Sequence, residues 1–547
     1  MNALRASIKT AILATRVKRA VGKFYCVVCV LLGLTAPILA RGDDTLQPVP
    51  ANGQCSVRED PQWTPQEIFV WQQVCVGEVA DFNKGPNYGG NLDPKRREGL
   101  PESRILRPAF LETILLEDKY RKVLRRRGVK IAGARLTDIL DLENIQLEDE
   151  FALAKSLLEK GVNFSGLRST YTVSLVGSNI TGQFLMIGGH LGGQLALGGA
   201  MITGLLRLEE VQIGESLFMD RGTQLFGVNL VDVHVGGQLN LTGSKVKGGM
   251  LIQGVQVYST AHLSRGAEFD GPVDFIFSSV GQNVELAGGF FRQNTDLTGT
   301  QIGGELRLGR PEFGPACWAP NTVLTLRNTT VGAVQDLSNS WPDKLDLNGF
   351  SYRNLGGIAG QNDPMINRTA EWFEGWLGKQ ASYAPAPYQQ LASVLREQGR
   401  PDTADEVLYT GRERDRGDAC ARWRRPGSCL WLSLLSAVAG YGIGLYTFRV
   451  FWSVIVLTAL GAVLLGVFSP NARQRGPIWL IGASLHRLLP IVELSKEFTN
   501  FFDDPPANEN WPNLNRPLQL YFAVHAIFGW ALGLIVLAAM SGIIQKR

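Results

Sequence analysis

An eleven-residue pattern of hydrophobic positions dominates the middle of the chain. Each repeat has an apolar residue, a glycine two positions later, and apolar residues four and six positions later, as in VGGQLNL from Val235. Apolar residues two apart share one face of a strand, so each repeat predicts a short strand with one buried face and a glycine-bearing turn. The first positions of the regular repeats are Leu136, Leu147, Leu158, Ser169, Ile180, Leu191, Ile202, Ile213, Gln224, Val235, Val246 and Val257.

Two irregularities interrupt this spacing. One extra residue precedes the next group of repeats, which begin at Phe269, Val280, Phe291 and Ile302. The segment GRPEFGPACWAP, residues 309–320, then leaves the pattern before it returns near Pro320, Val331 and Trp341. We expect this insertion to form a loop that either protrudes or folds back over the neighbouring coils.

Repetition at a fixed period is typical of a solenoid. Eleven residues are too few to enclose a core, so two repeats are expected to form one coil of a right-handed parallel β-helix over residues 129–350. An antiparallel sandwich is the alternative, but its hairpins would require turn residues that alternate rather than recur. The predicted fold class is mainly β, with helical caps and a C-terminal α-helical transmembrane region.

A solenoid needs its exposed core ends covered. Residues 101–128 have apolar positions at helical spacing and predict a capping helix, whose basic stripe offers contact with anionic lipid as an alternative role. Residues 370–410 contain AEWFEGWL and then PYQQLASVLREQGRPDTADEVLY, which is similar to a tetratricopeptide-like hairpin and predicts a second helical cap.

Both ends of the chain carry membrane or targeting signals. Residues 1–40 combine basic residues with an apolar run, which predicts a signal peptide cleaved after Ala40 or, alternatively, an uncleaved anchor. Residues 41–100 are expected to be irregular. The region 429–547 contains apolar segments at 430–448, 450–468 and 520–544. Only Arg449 separates the first two, which is too short for a turn, so two spans are favoured over three.

The amphipathic segment between these spans, residues 476–494, is expected to lie at the membrane interface. A pore-helix arrangement like that of two-span channels is the alternative, although no TVGYG-type filter follows the segment.

Composition and cysteines exclude some classes of function. The chain has 547 residues and a net charge of +4. Its basic residues are dispersed or flank apolar segments, so no nucleic-acid partner is predicted. Cys55 with Cys75 and Cys420 with Cys429 could pair in an oxidising compartment, leaving Cys317 over. No cysteine spacing matches a zinc site, and we predict neither a metal nor another cofactor.

Outward-facing residues one coil apart define the candidate chemistry. His262, Glu285 and Arg307 are expected to stack in one column, and Asp274 with Asp296 in another. Two carboxylates on adjacent coils are close enough that the pKa of one is raised or that both share a cation. Polysaccharide-cleaving β-helices use such pairs for general-base or metal chemistry. A solvated ladder of charges is the favoured interpretation, because most other outward positions are small or amide residues. No catalytic residue is therefore predicted, and these five form the alternative site.

Five stretches carry a family resemblance: ITGLLRL, VGGQLNL, LDLNGFSYRNL, YAPAPYQQLASVLREQGR and SLHRLLPIVEL. They resemble a group of bacterial membrane proteins with pentapeptide-like or β-helical repeats, most without an assigned function and some labelled membrane-associated oxidoreductase. The resemblance implies the fold and membrane attachment over residues 130–547. The oxidoreductase label finds no support, because no dinucleotide fingerprint follows a predicted strand.

The sequence thus predicts a non-enzymatic β-helical envelope protein, anchored in the bacterial inner membrane, that acts in interaction or scaffolding. A carbohydrate-active enzyme and a channel or channel regulator are the alternatives. Expected partners are the lipid bilayer and an envelope protein or glycan, and no oligomeric state is predicted. The β-helix is expected to be periplasmic, as the signal indicates, because long translocated domains often override loop charge. The basic flank from Arg412 to Arg425 makes a cytoplasmic β-helix the alternative.

Overall fold

A computed structural model describes residues 55–96, 100–124, 127–356, 364–421, 425–489, 494–503 and 514–540. The predicted signal peptide, residues 1–40, lies outside these ranges. The chain divides into two compact units. The first comprises Met1–Arg368 with Leu377–Ala381, and the second comprises Thr369–Trp376 with Ser382–Arg547.

The first unit is a parallel β-solenoid of about ten turns, which confirms the predicted fold class. Val173 pairs with Leu195, 22 positions further on, and Leu217 pairs with Leu239 at the same spacing. Two eleven-residue repeats therefore form one coil. The extra residue is accommodated within one coil, because Val246 pairs with Phe269, 23 positions further on.

The strands form two long sheets in the part of the chain that the structure describes. One sheet has 19 strands: Ala80–Asp81, Val129–Ala132, Gln146–Leu147, Phe151–Ala154, Arg168–Ser169, Val173–Ser174, His190–Leu191, Leu195–Ala196, Gln212–Ile213, Leu217–Phe218, His234–Val235, Leu239–Asn240, Gln256–Val257, Ala261–His262, Ser279–Val280, Val284–Glu285, Gln301–Arg307, Thr330–Gln335 and Ser351–Leu355. The other has 17: Arg135–Leu136, Leu140–Asp141, Leu157–Leu158, Val162–Asn163, Asn179–Ile180, Phe184–Ile187, Met201–Glu209, Gln224–Val231, Lys245–Val246, Met250–Gln253, Glu268–Phe269, Val273–Ile276, Phe290–Phe291, Thr295–Asp296, Cys317–Trp318, Val323–Thr325 and Lys344–Asp346.

The repeated apolar residues form the solenoid core. Leu239 and Leu241 are fully buried, as are the equivalent Leu195 and Leu197 two coils earlier. The glycine two positions after the first apolar residue permits close backbone approach: a Cβ on Gly182 would overlap the Lys160 carbonyl. Burial of this continuous column supplies most of the driving force for folding.

The N-terminal end of the solenoid carries short helices. Helix α1 is Pro65–Val74, α2 is Pro108–Leu116 and α3 is Asp118–Arg121. The described part of residues 101–128 thus contains α2 and α3, preceded by a 3-10 turn at Glu102–Arg104, instead of one continuous helix. The segment 41–100, expected to be irregular, contains α1, which the Thr64 and Glu67 capping box initiates. That T-x-x-E signal was present in the sequence.

The remaining helices follow the solenoid. They are α4 Ala370–Gly378, α5 Pro385–Glu397, α6 Pro401–Cys420, α7 Pro426–Ala439, α8 Arg449–Phe468, α9 Pro470–Arg473, α10 Pro477–Leu488, α11 Lys496–Asp503 and α12 Arg516–Met540. Within the first unit, Lys379 donates to the Pro342 carbonyl at 2.6 Å, and Gln380 forms a bridge with Leu345. The chain after α4 therefore contacts the last rungs.

Two helices among the described residues are long and apolar enough to cross a membrane, Gly444–Phe468 and Arg516–Ile535. The apolar stretch 430–448 is interrupted, because α7 ends at Ala439 and Gly440 adopts a left-handed conformation with φ of 53°. The count of two agrees with the favoured prediction. Disulfides join Cys55 to Cys75 and Cys420 to Cys429, and Cys317 is buried outside both.

Candidate functional site

The predicted column of His262, Glu285 and Arg307 exists on the 19-strand sheet. His262 pairs in register with Glu285, and Glu285 pairs with Arg307 on the following rung. The column is not a solvated ladder, however, because Glu285 is fully buried. Arg307 of the next rung and Arg310 of the insertion both lie against its carboxylate.

The insertion folds back over this column. Gly309–Arg310 and Gly314–Pro315 form a short antiparallel hairpin, and Cys317–Trp318 then rejoins the other sheet beside Phe290–Phe291. Arg310 Nη1 lies 3.6 Å from Glu285 Oε2, and the Phe313 ring lies 4.0 Å from the Arg265 guanidinium. The hairpin is thus held by an ion pair and a cation–π contact.

Burial determines the electrostatics beneath the hairpin. It lowers the pKa of His262 to about 4, and the positive charges of Arg265 and Arg307 act in the same direction. Burial raises the pKa of Glu285 against the opposing effect of Arg307, whose Nη1 lies 3.5 Å from Glu285 Oε2. Arg307 Nε donates to Glu305 Oε2 at 2.5 Å. A buried carboxyl with a raised pKa is a feature of acid–base sites, but here it is covered by protein.

The second predicted pair, Asp274 and Asp296, also stacks on adjacent rungs. Burial and the neighbouring Asp296 charge raise the pKa of Asp274. Asp296 Oδ1 accepts from the Thr298 amide at 2.7 Å and from the Thr298 hydroxyl at 2.5 Å. No group of three metal-ligating side chains is present among the described residues, so this pair has no third ligand there.

A groove on the 19-strand sheet is the site that sequence reasoning missed. Its volume is about 570 Å³. One of its walls consists of the outward residues that immediately precede each buried apolar position: His234, Gln256, Ser279, Gln301 and Thr330. The residues that immediately follow those positions form its floor: Gly236, Tyr258, Gly281, Gly303, Gly332 and Arg353.

Close packing between rungs makes this floor glycine-rich. A Cβ on Gly236 would overlap the Gly214 carbonyl, and a Cβ on Gly303 would overlap that of Gly281. Without side chains the floor stays low, while the flanking column projects into solvent. Six rungs separated by about 4.8 Å give a groove about 24 Å long.

Tyr258 and Arg353 are the two floor residues with large side chains. Tyr258 is 78% exposed, and Arg353 is also exposed. Three floor glycines lie between them: Gly281, Gly303 and Gly332. This part of the floor therefore has an aromatic ring at one end and a guanidinium at the other. His234 and Arg353 are the titratable groups in the described lining besides Tyr258, and the lining contains no carboxylate or lysine.

The sequence carried a signal for this groove. Before each buried position stands an amide, hydroxyl or imidazole residue, and after it a glycine, in every coil from Gln212 to Thr330 except that of Tyr258. The predicted columns lie five positions after the first apolar residues, whereas the groove uses the two positions that flank those residues. Comparisons with protein-family models, curated proteins and solved structures found no match to this chain.

Proposed function

We propose that this protein is a membrane-anchored interaction module of the bacterial cell envelope, whose β-solenoid binds an extended partner along the groove. The observation that carries the proposal is the glycine floor between Tyr258 and Arg353, with its polar wall of five residues. Such a surface presents a hydrogen-bonding side chain on each of five successive rungs, which suits a linear molecule lying along the solenoid axis.

The five residues of the alternative catalytic site fit a binding role better than an enzymatic one. Glu285 lies beneath the hairpin, where a substrate would have to displace Arg310 to reach it. Asp296 is engaged by the amide and hydroxyl of Thr298. In contrast, the groove is open, and its wall residues His234, Gln256 and Gln301 are exposed.

The two helices of spanning length support the proposed attachment to a membrane. We assign the protein to the inner membrane and the solenoid to the periplasm, because the N-terminal sequence resembles a secretory signal. The pairing of Cys55 with Cys75 supports this compartment, since such disulfides persist in oxidising surroundings.

Two experiments test the proposal. Protease added to intact spheroplasts should degrade the solenoid if it faces the periplasm, whereas protection until lysis would refute that orientation.

A photoreactive residue at Gln301, in the groove wall, should form discrete adducts in living cells. The matched control is the same residue at Phe226, which is 60% exposed on the other sheet. Adducts at both positions, or at neither, would contradict a role for the groove.

A further inference from the structure

The groove's chemistry indicates the class of its ligand. We propose that it binds a linear glycan that carries carboxylate groups; this inference rests on the proposed function and specifies its partner. Sugar hydroxyls both donate and accept hydrogen bonds, as do the amide and hydroxyl side chains of Gln256, Ser279 and Gln301.

A peptide strand fits this surface less well. Peptides that add to a sheet use free backbone groups at an edge. Here the backbone is already engaged between rungs: the Tyr258 amide donates to Val235 at 2.9 Å and the Gly281 amide to Val257 at 2.8 Å. A ligand in the groove therefore contacts polar side chains and the ring of Tyr258, not free backbone groups. Such a surface suits a polymer that carries hydroxyl groups on each unit.

Tyr258 and Arg353 supply the two specific contacts. An exposed tyrosine ring can stack on the C–H face of a pyranose, and a guanidinium pairs with a carboxylate through two parallel hydrogen bonds. The lining has no aspartate or glutamate to repel an acidic sugar. Four rung steps place these two residues about 19 Å apart, so one glycan chain of several units would contact both.

The test measures binding of polygalacturonate, with its fully methyl-esterified form as the uncharged comparison, to the full-length protein in nanodiscs. Tyr258→Gly restores the glycine of the neighbouring rungs and should weaken binding of both polymers about tenfold, equivalent to about 1.4 kcal/mol. Arg353→Gln should weaken binding of the acidic polymer alone.

Tyr171→Ala is the matched control, because Tyr171 is an exposed tyrosine on a rung outside the groove. Its affinity should equal that of the unmodified chain. Absence of binding to either polymer, or binding unchanged by Tyr258→Gly and Arg353→Gln, overturns the glycan assignment. If groove adducts at Gln301 persist in that case, the interaction role stands and only the ligand class fails.

Helix α10 carries a second, independent inference, which concerns the membrane region. It contacts the middle of both candidate spans. A Cβ on Gly461 of α8 would overlap Ser484 Oγ, and a Cβ on Gly529 of α12 would overlap the Leu488 carbonyl. His525 Nε2 lies 3.3 Å from the Ser484 carbonyl and donates to it.

The clusters at the two ends of the spans give the direction of α10. Leu465, near the end of α8, packs with Leu518, near the start of α12, and with Trp479, near the start of α10. Val450, at the start of α8, packs with Leu532 in the second half of α12. The spans are therefore antiparallel. Helix α10 starts at the level where α8 ends, and its last residue reaches Gly529, 13 positions into α12.

We infer that α10 is a re-entrant helix that enters the bilayer from the side where α8 ends, rather than the interfacial helix favoured by the sequence. Its 12 residues span about 18 Å, more than half of the hydrocarbon thickness of about 30 Å. A polar side chain of α10 contacts α11 instead of lipid: His486 Nε2 lies 3.2 Å from Thr499 Oγ1.

Spin labels in nanodiscs measure this geometry as a depth gradient. Labels at Ile478 and Leu485 should differ in depth by about 10 Å, with Leu485 deeper, because seven residues of helix separate them. A label at Leu460 in α8 provides the deep reference. Equal shallow depths at both α10 positions would overturn re-entry, whereas a water-exposed label at Leu460 would refute membrane attachment itself.

Discussion

Replacing His262 with glutamine should make the stability of the solenoid less sensitive to acid. Burial of the imidazole, together with the charges of Arg265 and Arg307, lowers the pKa of His262 from 6.5 to about 4. Between those two pH values the unfolded chain binds a proton that the folded chain excludes. The contribution of His262 to stability is therefore complete above pH 6.5 and is lost as the pH falls towards 4.

The magnitude follows from the two pKa values. Lowering the pH from 7.5 to 4.5 should cost the unmodified chain about 2 kcal/mol more than His262→Gln, since each pKa unit corresponds to about 1.36 kcal/mol and solvent screens part of the effect at this partly exposed side chain. Glu285 acts with the opposite sign. Burial raises its pKa, so its contribution is present at low pH and is lost as the pH rises through the folded value. Because Glu285 is retained in both proteins, its contribution largely cancels in the comparison.

Equilibrium urea unfolding, followed by circular dichroism of the full-length protein in detergent at four pH values, measures this difference. His190→Gln is the matched control, because His190 is an exposed histidine on the same sheet. The control should follow the curve of the unmodified chain. Parallel curves for His262→Gln and the unmodified chain across the whole range would show that His262 is not held neutral by its surroundings.

Three further predictions test packing and chemistry. Gly236→Ala should lower the free energy of unfolding by about 1–3 kcal/mol through overpacking between rungs, whereas Gly227→Ala, whose nearest contact would be 3.3 Å away, should change it by less than about 1 kcal/mol in the same urea titration. Arg368→Met leaves a fully buried aspartate without its ion-pair partner and should cost about 3–5 kcal/mol, visible as a lower thermal midpoint; an unchanged midpoint would contradict it. A glycan-cleavage screen should find no turnover, and turnover that disappears in both Asp274→Ala and Glu285→Ala would instead establish an enzyme.

Much of the fold could be predicted from the sequence, because the structure repeats a local pattern. The apolar residues of VGGQLNL face the core, and the 23-residue coil lies where the spacing of the sequence slips before Phe269. The column of His262, Glu285 and Arg307 follows from the same repeat length, because residues one coil apart stack on each other. The break at Gly440, within the apolar stretch 430–448, is a local effect as well, because glycine tolerates the left-handed conformation that ends α7.

The environment of those residues was decided by tertiary structure. The repeat length determines which residues stack on successive rungs. The surroundings of Glu285 depend in addition on where the hairpin lies, and the position of the hairpin depends on contacts of Arg310 and Phe313 with distant rungs. The groove likewise joins Tyr258 to Arg353, 95 positions apart, through backbone packing that only assembled coils create. A periodic sequence determines the register of its own strands. Which surfaces stay open to a ligand is determined by the segments that depart from the period, because their positions depend on long-range contacts.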